Sequence, residues 1–229
     1  VLVWDIESTN LNATFGDILC IGWKFLGQPK PTIYGWGPRD FDDKRLVASF
    51  IDVFAECDYH VTWYGARFDL PMVKTKAIEH GLPPLPPKPH IDLWRFARSH
   101  FKSHSNRLDA WSQLLDTTEH KTAIAFNAWK RAMRGDRGAL ETVKAHCEKD
   151  VLVLEEVFHH MRPWLDNEPA RGLVTGDHTV CPSCGSERVW SNGIKLTLAG
   201  VYRQYRCQNC GKFMRGRCAV DRSELRNTI

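Results

Sequence analysis

The spacing of apolar residues divides the chain into segments of two periods. Val1-Leu2-Val3-Trp4-Asp5-Ile6-Glu7-Ser8-Thr9 is β-branched and aromatic enough to read as a strand buried on both faces. Residues 17–25 and 32–36 read as two further strands of a meander, with a turn at Gly27-Gln28-Pro29. From residue 43 to 57 the period changes, and Leu46, Val47, Phe50, Ile51 and Phe54 fall on one helical stripe. Residues 59–64 return to a buried strand that stops at Gly65. A helix is predicted from near Leu70, with Asp69 as its cap and Pro71 in its first turn. Five prolines in the seven residues 83–89 predict a stiff surface loop, with a Pro-rich ligand for another domain as the alternative. His90-Ile91-Asp92-Leu93 is the last short strand, and 103–111 leads into a helix through Leu114 and Leu115. Leu140, Val143, Cys147, Val151, Leu154, Phe158 and Met161 form one stripe and predict a long helix over 138–161. Beyond it the pattern weakens, and short strands are predicted at 188–190, 194–198 and 201–206.

Composition narrows the class. A chain of 229 residues with 43% apolar residues and nine Trp has the makings of a packed domain and a smaller second one. No run of 18 apolar residues predicts a membrane span, and no secretory leader is legible. The chain opens inside a strand, which implies residues upstream of Val1. Eight cysteines include two Cys-x-x-Cys pairs, a pattern that fits metal binding in a reducing, cytoplasmic setting better than a disulfide framework. Charge is uneven within a net +4. Residues 171–229 hold ten Lys/Arg against four Asp/Glu, so the C-terminal part suits a polyanion and the larger part is slightly acidic.

The first strand carries the sharpest chemical signal. Asp5 and Glu7 are two positions apart, so their side chains point to the same side of a strand. Two acids side by side in a buried strand repel each other and lose hydration unless a cation sits between them. Asp150 falls at the edge of the long helix's apolar stripe, with His146 one step further round, so both face the seam between helix and sheet.

Three strands, a helix, a strand and a helix is the opening order of the ribonuclease H-like fold, and the motifs fit a family within it. Asp5-Ile6-Glu7 resembles the first motif of the exonucleases with four acidic metal ligands, the DEDD superfamily. Tyr64-Gly65-Ala66-Arg67-Phe68-Asp69 resembles the second, with Tyr64 where many members have Asn. His146-Cys147-Glu148-Lys149-Asp150 resembles the third, with His at the spacing where one form of the motif has Tyr. The resemblance implies that Asp5, Glu7, Asp69 and Asp150 hold two Mg²⁺ or Mn²⁺ ions and that the catalytic set is these four with His146. A histidine with an ordinary pKa of about 6.5 suits water activation, and a surface role without catalytic duty is the alternative. Arg67, Lys102 and Arg107 are candidate phosphate contacts, and Asp92 is a further acid near the site.

The C-terminal part resembles a zinc ribbon. Cys181-Pro-Ser-Cys184-Gly and Cys207-Gln-Asn-Cys210-Gly lie 22 residues apart, and two such knuckles complete one tetrahedral Zn²⁺ site. A redox dithiol competes for a single Cys-x-x-Cys, but hardly for two in so small a segment. Trp190, Tyr202, Arg203, Tyr205 and Arg206 interleave rings with cations, the composition that stacks bases and meets phosphates of a single strand. Some of these rings are expected to fill the ribbon's small core.

The sequence therefore predicts an α/β protein. A ribonuclease H-like mixed sheet flanked by helices occupies 1–165, followed by a linker at 166–177, a β zinc ribbon at 178–217 and a basic tail at 218–229. By resemblance to free-standing polymerase-proofreading-like exonuclease domains, the expected activity is metal-dependent 3′–5′ exonucleolytic hydrolysis of single-stranded DNA or RNA. A structure-selective endonuclease and a degenerate binding module are the alternatives. The ribbon is expected to assist substrate binding or to dock a protein partner, and no membrane partner is expected.

Overall fold

Strand β1 (Leu2–Ser8) sits at the middle of the larger of two sheets and separates two kinds of surface. The computed structural model describes residues 1–37, 42–120 and 123–224, which fall into two compact units that divide between His160 and Met161. In the first unit β1 pairs antiparallel with β2 (Ile18–Phe25), which pairs with β3 (Thr32–Gly35). On its other side β1 runs parallel to β4 (His60–Thr62), and β4 to β5 (His90–Asp92). The order is β3-β2-β1-β4-β5.

Alternation along β1 decides what covers each face. Leu2, Trp4 and Ile6 are buried. The Trp4 ring lies 4.7 Å from Phe50 and 6.2 Å from Phe54 of α1 (Lys44–Glu56), whose apolar stripe covers that face. Asp5 and Glu7 point to the opposite face, where the long helix α6 crosses. Among the described residues, five further helices belong to this unit: α2 (Asp69–Glu79), α3 (Leu93–His100), α4 (Leu108–Leu114), α5 (Phe126–Ala132) and α6 (Arg137–Met161) itself, whose last residue opens the second unit. Gly22 stands opposite Asp5 in the ladder, and it lets α6 come close. A Cβ there would lie 2.7 Å from Cys147 Sγ and 3.1 Å from Val151 Cγ2, both on α6.

Buried polar groups fix the remaining elements. Asp43 accepts a bond from the Ile18 N–H at 2.8 Å and meets His80 Nε2 at 2.5 Å, while Lys76 bonds Asp17 at 2.9 Å. Buried Lys24 and Glu155 pair across β2 and α6. His60 and His90 stack with centroids 4.0 Å apart on neighbouring strands; Trp4 Nε1 donates to His60 Nδ1 at 3.0 Å, and Thr62 Oγ1 meets His90 Nε2 at 2.8 Å. Burial first, and then the neighbouring ring, holds His60 down to about 3, and burial holds His90 down to about 4.

The second unit is a three-stranded antiparallel sheet, β6 (Val189–Thr197), β7 (Gly200–Cys207) and β8 (Phe213–Arg222), with the four-cysteine cluster at one end. Strand β8 runs past residue 217, where the sequence places the start of a tail. None of its residues is buried, the short apolar stretches Phe213-Met214 and Cys218-Ala219-Val220 included, so pairing to β7 holds it. Residues 225–229 of the expected tail lie outside the described residues. The stretch expected as a linker is ordered too. It holds α7 (Arg171–Thr175) and Glu168, whose enclosed carboxylate accepts from Arg162 Nε at 2.7 Å and Ser183 Oγ at 2.7 Å, with Lys212 Nζ at 4.0 Å.

Candidate active site and cysteine cluster

The acids of β1 and α6 meet around one histidine. His146 Nε2 lies 3.6 Å from Glu7 Oε1 and 3.7 Å from Asp150 Oδ2, and ligand atoms of these three residues lie within 4.8 Å of one another. His146 and Asp150 are one helical turn apart, so α6 presents both toward the strand. Asp69 joins them by a different route. Its Oδ1 accepts the N–H of Ile6, between Asp5 and Glu7, at 3.2 Å. It is the first residue of α2, one position inside the cap that the sequence predicts, and its carboxylate reaches the strand. Asp5 and Asp150 line a common cleft of about 400 Å³, whose other walls are Trp63, Tyr64, Trp94, Asn106, Arg107 and Leu108.

Four carboxylates and one imidazole, in a small region with two of the acids nearly buried, form a donor set suited to hard divalent cations. Without cations the like charges would oppose one another. Asp42, Asp43 and His80 form another such group among the described residues. There, however, Asp43 is already bonded to Ile18 N and His80, and Asp42 to the N–H of Lys44, so that group ties α1 to its neighbours.

Of the three basic residues read as phosphate contacts, Arg107 lines the cleft. Arg67 is exposed in the turn after Gly65, and Lys102 is exposed in the loop after α3; neither lines it. Asp92 does not line the cleft itself but is bonded to the turn that does. Its Oδ1 accepts the N–H groups of Tyr64 at 3.1 Å and Arg95 at 3.2 Å, and its Oδ2 accepts that of Ala66 at 3.0 Å, so it holds the 64–66 turn and caps α3. Trp63, Trp94 and Asn106 are cleft residues that the sequence pattern did not single out. The signal for Trp63 was its place just beyond the C-terminal end of a parallel strand, where α/β sheets gather their sites.

In the second unit, Cys181 Sγ lies 3.7 Å from Cys210 Sγ and Cys184 Sγ 3.6 Å from Cys207 Sγ. A tetrahedron with metal–sulfur bonds of about 2.3 Å has sulfur–sulfur edges of roughly 3.8 Å, so the spacing fits one Zn²⁺ and is far too long for disulfides. The two knuckles are built alike. Gly185 and Gly211 follow the second cysteine of each with φ of 76° and 77°, and their N–H groups return to the carbonyls of Cys181 and Cys207. Burial pushes the Cys207 thiol up, but the N–H groups of Cys210 and Asn209 outweigh it and bring it down to about 7.

Directly paired residues of an antiparallel sheet share a face. Trp190, Arg206 and Phe213 therefore stand in a row across the three strands, with Arg206 Cζ 5.4 Å from the Phe213 ring. Tyr202 shares that face, under Arg215 Cζ at 4.1 Å. Arg203 and Tyr205 alternate to the other face, so the five residues read together in the sequence divide between two surfaces.

A mixed five-stranded sheet flanked by helices, with its acids gathered at the middle strand and the long helix, defines a ribonuclease H-like fold. Residues 2–162 match the RNase_H superfamily, and the chain belongs to it; that membership supports a metal-dependent nuclease acting on nucleic acid. Among curated proteins none matches the chain. A solved structure similar to it is the family B DNA polymerase from the hyperthermophilic archaeon Pyrobaculum calidifontis, with a TM-score of 0.56 and 16% identity. The likeness covers 71% of this chain but 25% of the polymerase, and at that identity it speaks for the fold alone. No helix among the described residues is long and apolar enough to cross a membrane.

Proposed function

We propose that the chain is a DEDD-type 3′–5′ exonuclease that hydrolyses phosphodiester bonds of single-stranded nucleic acid, with a zinc ribbon assisting its grip on substrate. The observation that carries this reading is the convergence of Glu7, His146 and Asp150, with Asp69 tied to the amide between Asp5 and Glu7. Asp5, Glu7, Asp69 and Asp150 would hold two Mg²⁺ or Mn²⁺ ions, which supply a water of lowered pKa and offset the charge building on the phosphate. His146, within 4 Å of two of these acids, is placed to take the proton of the attacking water and to hand it to solvent. The Asp69 carboxylate, anchored on β1, keeps its distance from the other acids fixed. Arg107, at the cleft wall, meets a phosphate along the bound strand. One Zn²⁺ on Cys181, Cys184, Cys207 and Cys210 would close the ribbon, whose row of Trp190, Arg206 and Phe213 offers rings to bases and a cation to phosphate.

The test is to give the protein Mn²⁺ with 5′-labelled single-stranded DNA, single-stranded RNA and duplexes, and to read the products on a gel. A ladder shortening from the 3′ end is expected. Discrete internal cuts would make it an endonuclease, and intact substrate under all conditions would leave a binding module.

A further inference from the structure

The sheet of the second unit has two faces, and the row of Trp190, Arg206 and Phe213 occupies only one. Tyr205 stands on the other, opposite Met214 in the ladder. Val189 pairs with Cys207, two residues along from Tyr205, so these three side chains share that face. They floor an open cleft of about 660 Å³, within the roughly 300–1,000 Å³ of small-ligand sites. Its far wall is α7 with the segment 178–182 that leads into the first cysteine knuckle.

The wall is fixed by bonds of its own. The Arg171 N–H donates to the Pro182 carbonyl at 2.7 Å and the Gly176 N–H to that of Gly172 at 2.9 Å. A Cβ on Gly172 would lie 2.3 Å from the Asp177 carbonyl oxygen, so glycine is what lets the chain fold back there. Asp177 Oδ1 then accepts from the N–H and the hydroxyl of Thr179 at 2.9 and 2.7 Å. The floor, by contrast, is kept clear. A Cβ on Gly216 would meet nothing nearer than Tyr205 Cε2 at 3.7 Å, an ordinary contact, and its backbone is not left-handed. Neither crowding nor strain asks for glycine at 216; its effect is to leave the Tyr205 ring bare on the cleft side. Leu173, on the wall, is 73% exposed and does not close over the ring.

A bare ring with a methionine beside it suits a flat group with π-faces. The polar groups of the cleft define what that group carries. Arg215 turns its guanidinium to Tyr202 on the opposite face, with Cζ 4.1 Å from that ring. Arg217 and His178 remain as lining donors for an anion, and the Glu187 carboxylate is an acceptor for N–H groups.

We infer that this cleft is a nucleotide-binding site, in which an amino-bearing base lies on Tyr205 with its edge toward Glu187 and Arg217 holds the phosphate. A free monophosphate and one unit of a bound single strand present the same chemistry. The site does not depend on the exonuclease reading, since every residue of the cleft belongs to the second unit and none of the four acids does.

The experiment titrates the full chain, without added Mg²⁺ or Mn²⁺, with adenosine, adenosine monophosphate and a single-stranded oligoadenylate, and reads affinity by calorimetry. Omitting those metals keeps the acids of β1 and α6 from holding phosphate. Gly216→Leu fills the space beside the ring without backbone strain, and should weaken monophosphate binding about 5- to 150-fold, the loss that one base stack represents. Arg217→Gln should weaken monophosphate binding and leave adenosine binding unchanged, a split that a merely structural arginine would not produce. Both variants should melt as the wild type does. If Gly216→Leu weakens the oligonucleotide as well, the site takes a nucleotide of the strand; if it weakens the monophosphate alone, the site takes a free nucleotide. A wild type that binds no monophosphate, or variants that bind it as tightly as the wild type, overturns the site and leaves the nuclease reading in place.

Discussion

Asp69 makes two demands on one side chain, and they can be separated by substitution. Its carboxylate is a proposed metal ligand and also the acceptor for the Ile6 N–H. Asp69→Asn keeps an acceptor oxygen, whereas Asp69→Ala leaves a buried amide without one, at about 1–3 kcal/mol. Both variants should lose nuclease activity, but thermal denaturation should find only the alanine variant destabilised; equal stability would mean that the amide bond carries little. Asp150→Asn should abolish cleavage with the fold intact, and near-normal hydrolysis in Mg²⁺ would remove Asp150 from the proposed site. His146→Ala should slow turnover by roughly 10²–10⁴-fold, the range for acid–base catalysis, and His146→Tyr should recover part of it. An alanine variant with unchanged turnover would assign the imidazole to packing.

Among elements, the paired strands β4 and β5 set a dependence on pH. The folded protein holds His60 down to about 3 and His90 down to about 4, from an ordinary value of 6.5. Below about pH 6.5 the unfolded chain therefore binds protons that the folded one refuses, so this stability is present above that pH and is lost progressively as pH falls toward 3–4. The melting temperature should decline on acidification from pH 6.5, and less so in His90→Phe, which keeps a stacked ring without its proton site. Identical declines in the two proteins would place the acid lability elsewhere. Elements with strong periodicity or fixed spacing were legible in the sequence: the acid-bearing β1, the stripe of α1, the long α6 and the two cysteine knuckles. Those held by partners were not. Helix α3 begins on the Asp92 cap and runs only eight residues, α5 buries little beyond Ala132, and β8 buries none of its residues. The convergence of Glu7, His146 and Asp150 could be guessed from strand alternation and helix phase. The left-handed turn at Tyr64, where φ is 69°, could not, because its cause is the Asp92 carboxylate 28 positions away.

For the molecule as a whole, charge divides the labour. Residues 171–229 carry ten of the 31 Lys/Arg against four of the 27 Asp/Glu, so attraction to a polyanion should come mainly from the ribbon. On the proposed zinc ribbon, Cys207→Ser or treatment with a chelator should weaken single-strand binding and flatten its salt dependence by roughly 0.7 in log–log slope for each phosphate that the protein ceases to neutralise. An unchanged slope would point to a ribbon that docks protein in place of substrate.

The Glu168 carboxylate bears on where the ribbon can be cut out and moved. It gathers Arg162 from before the first knuckle, Ser183 from within it, and Lys212 from beyond the second. A graft taken at residue 178 would carry Ser183 and Lys212 away without the acid they surround. Lys212 Nζ, which also donates to the Leu165 carbonyl at 2.5 Å, would lose that partner as well. The portable piece thus begins near Met161, and recombination between nucleases that share this ribbon should succeed at that junction and fail at the cysteines.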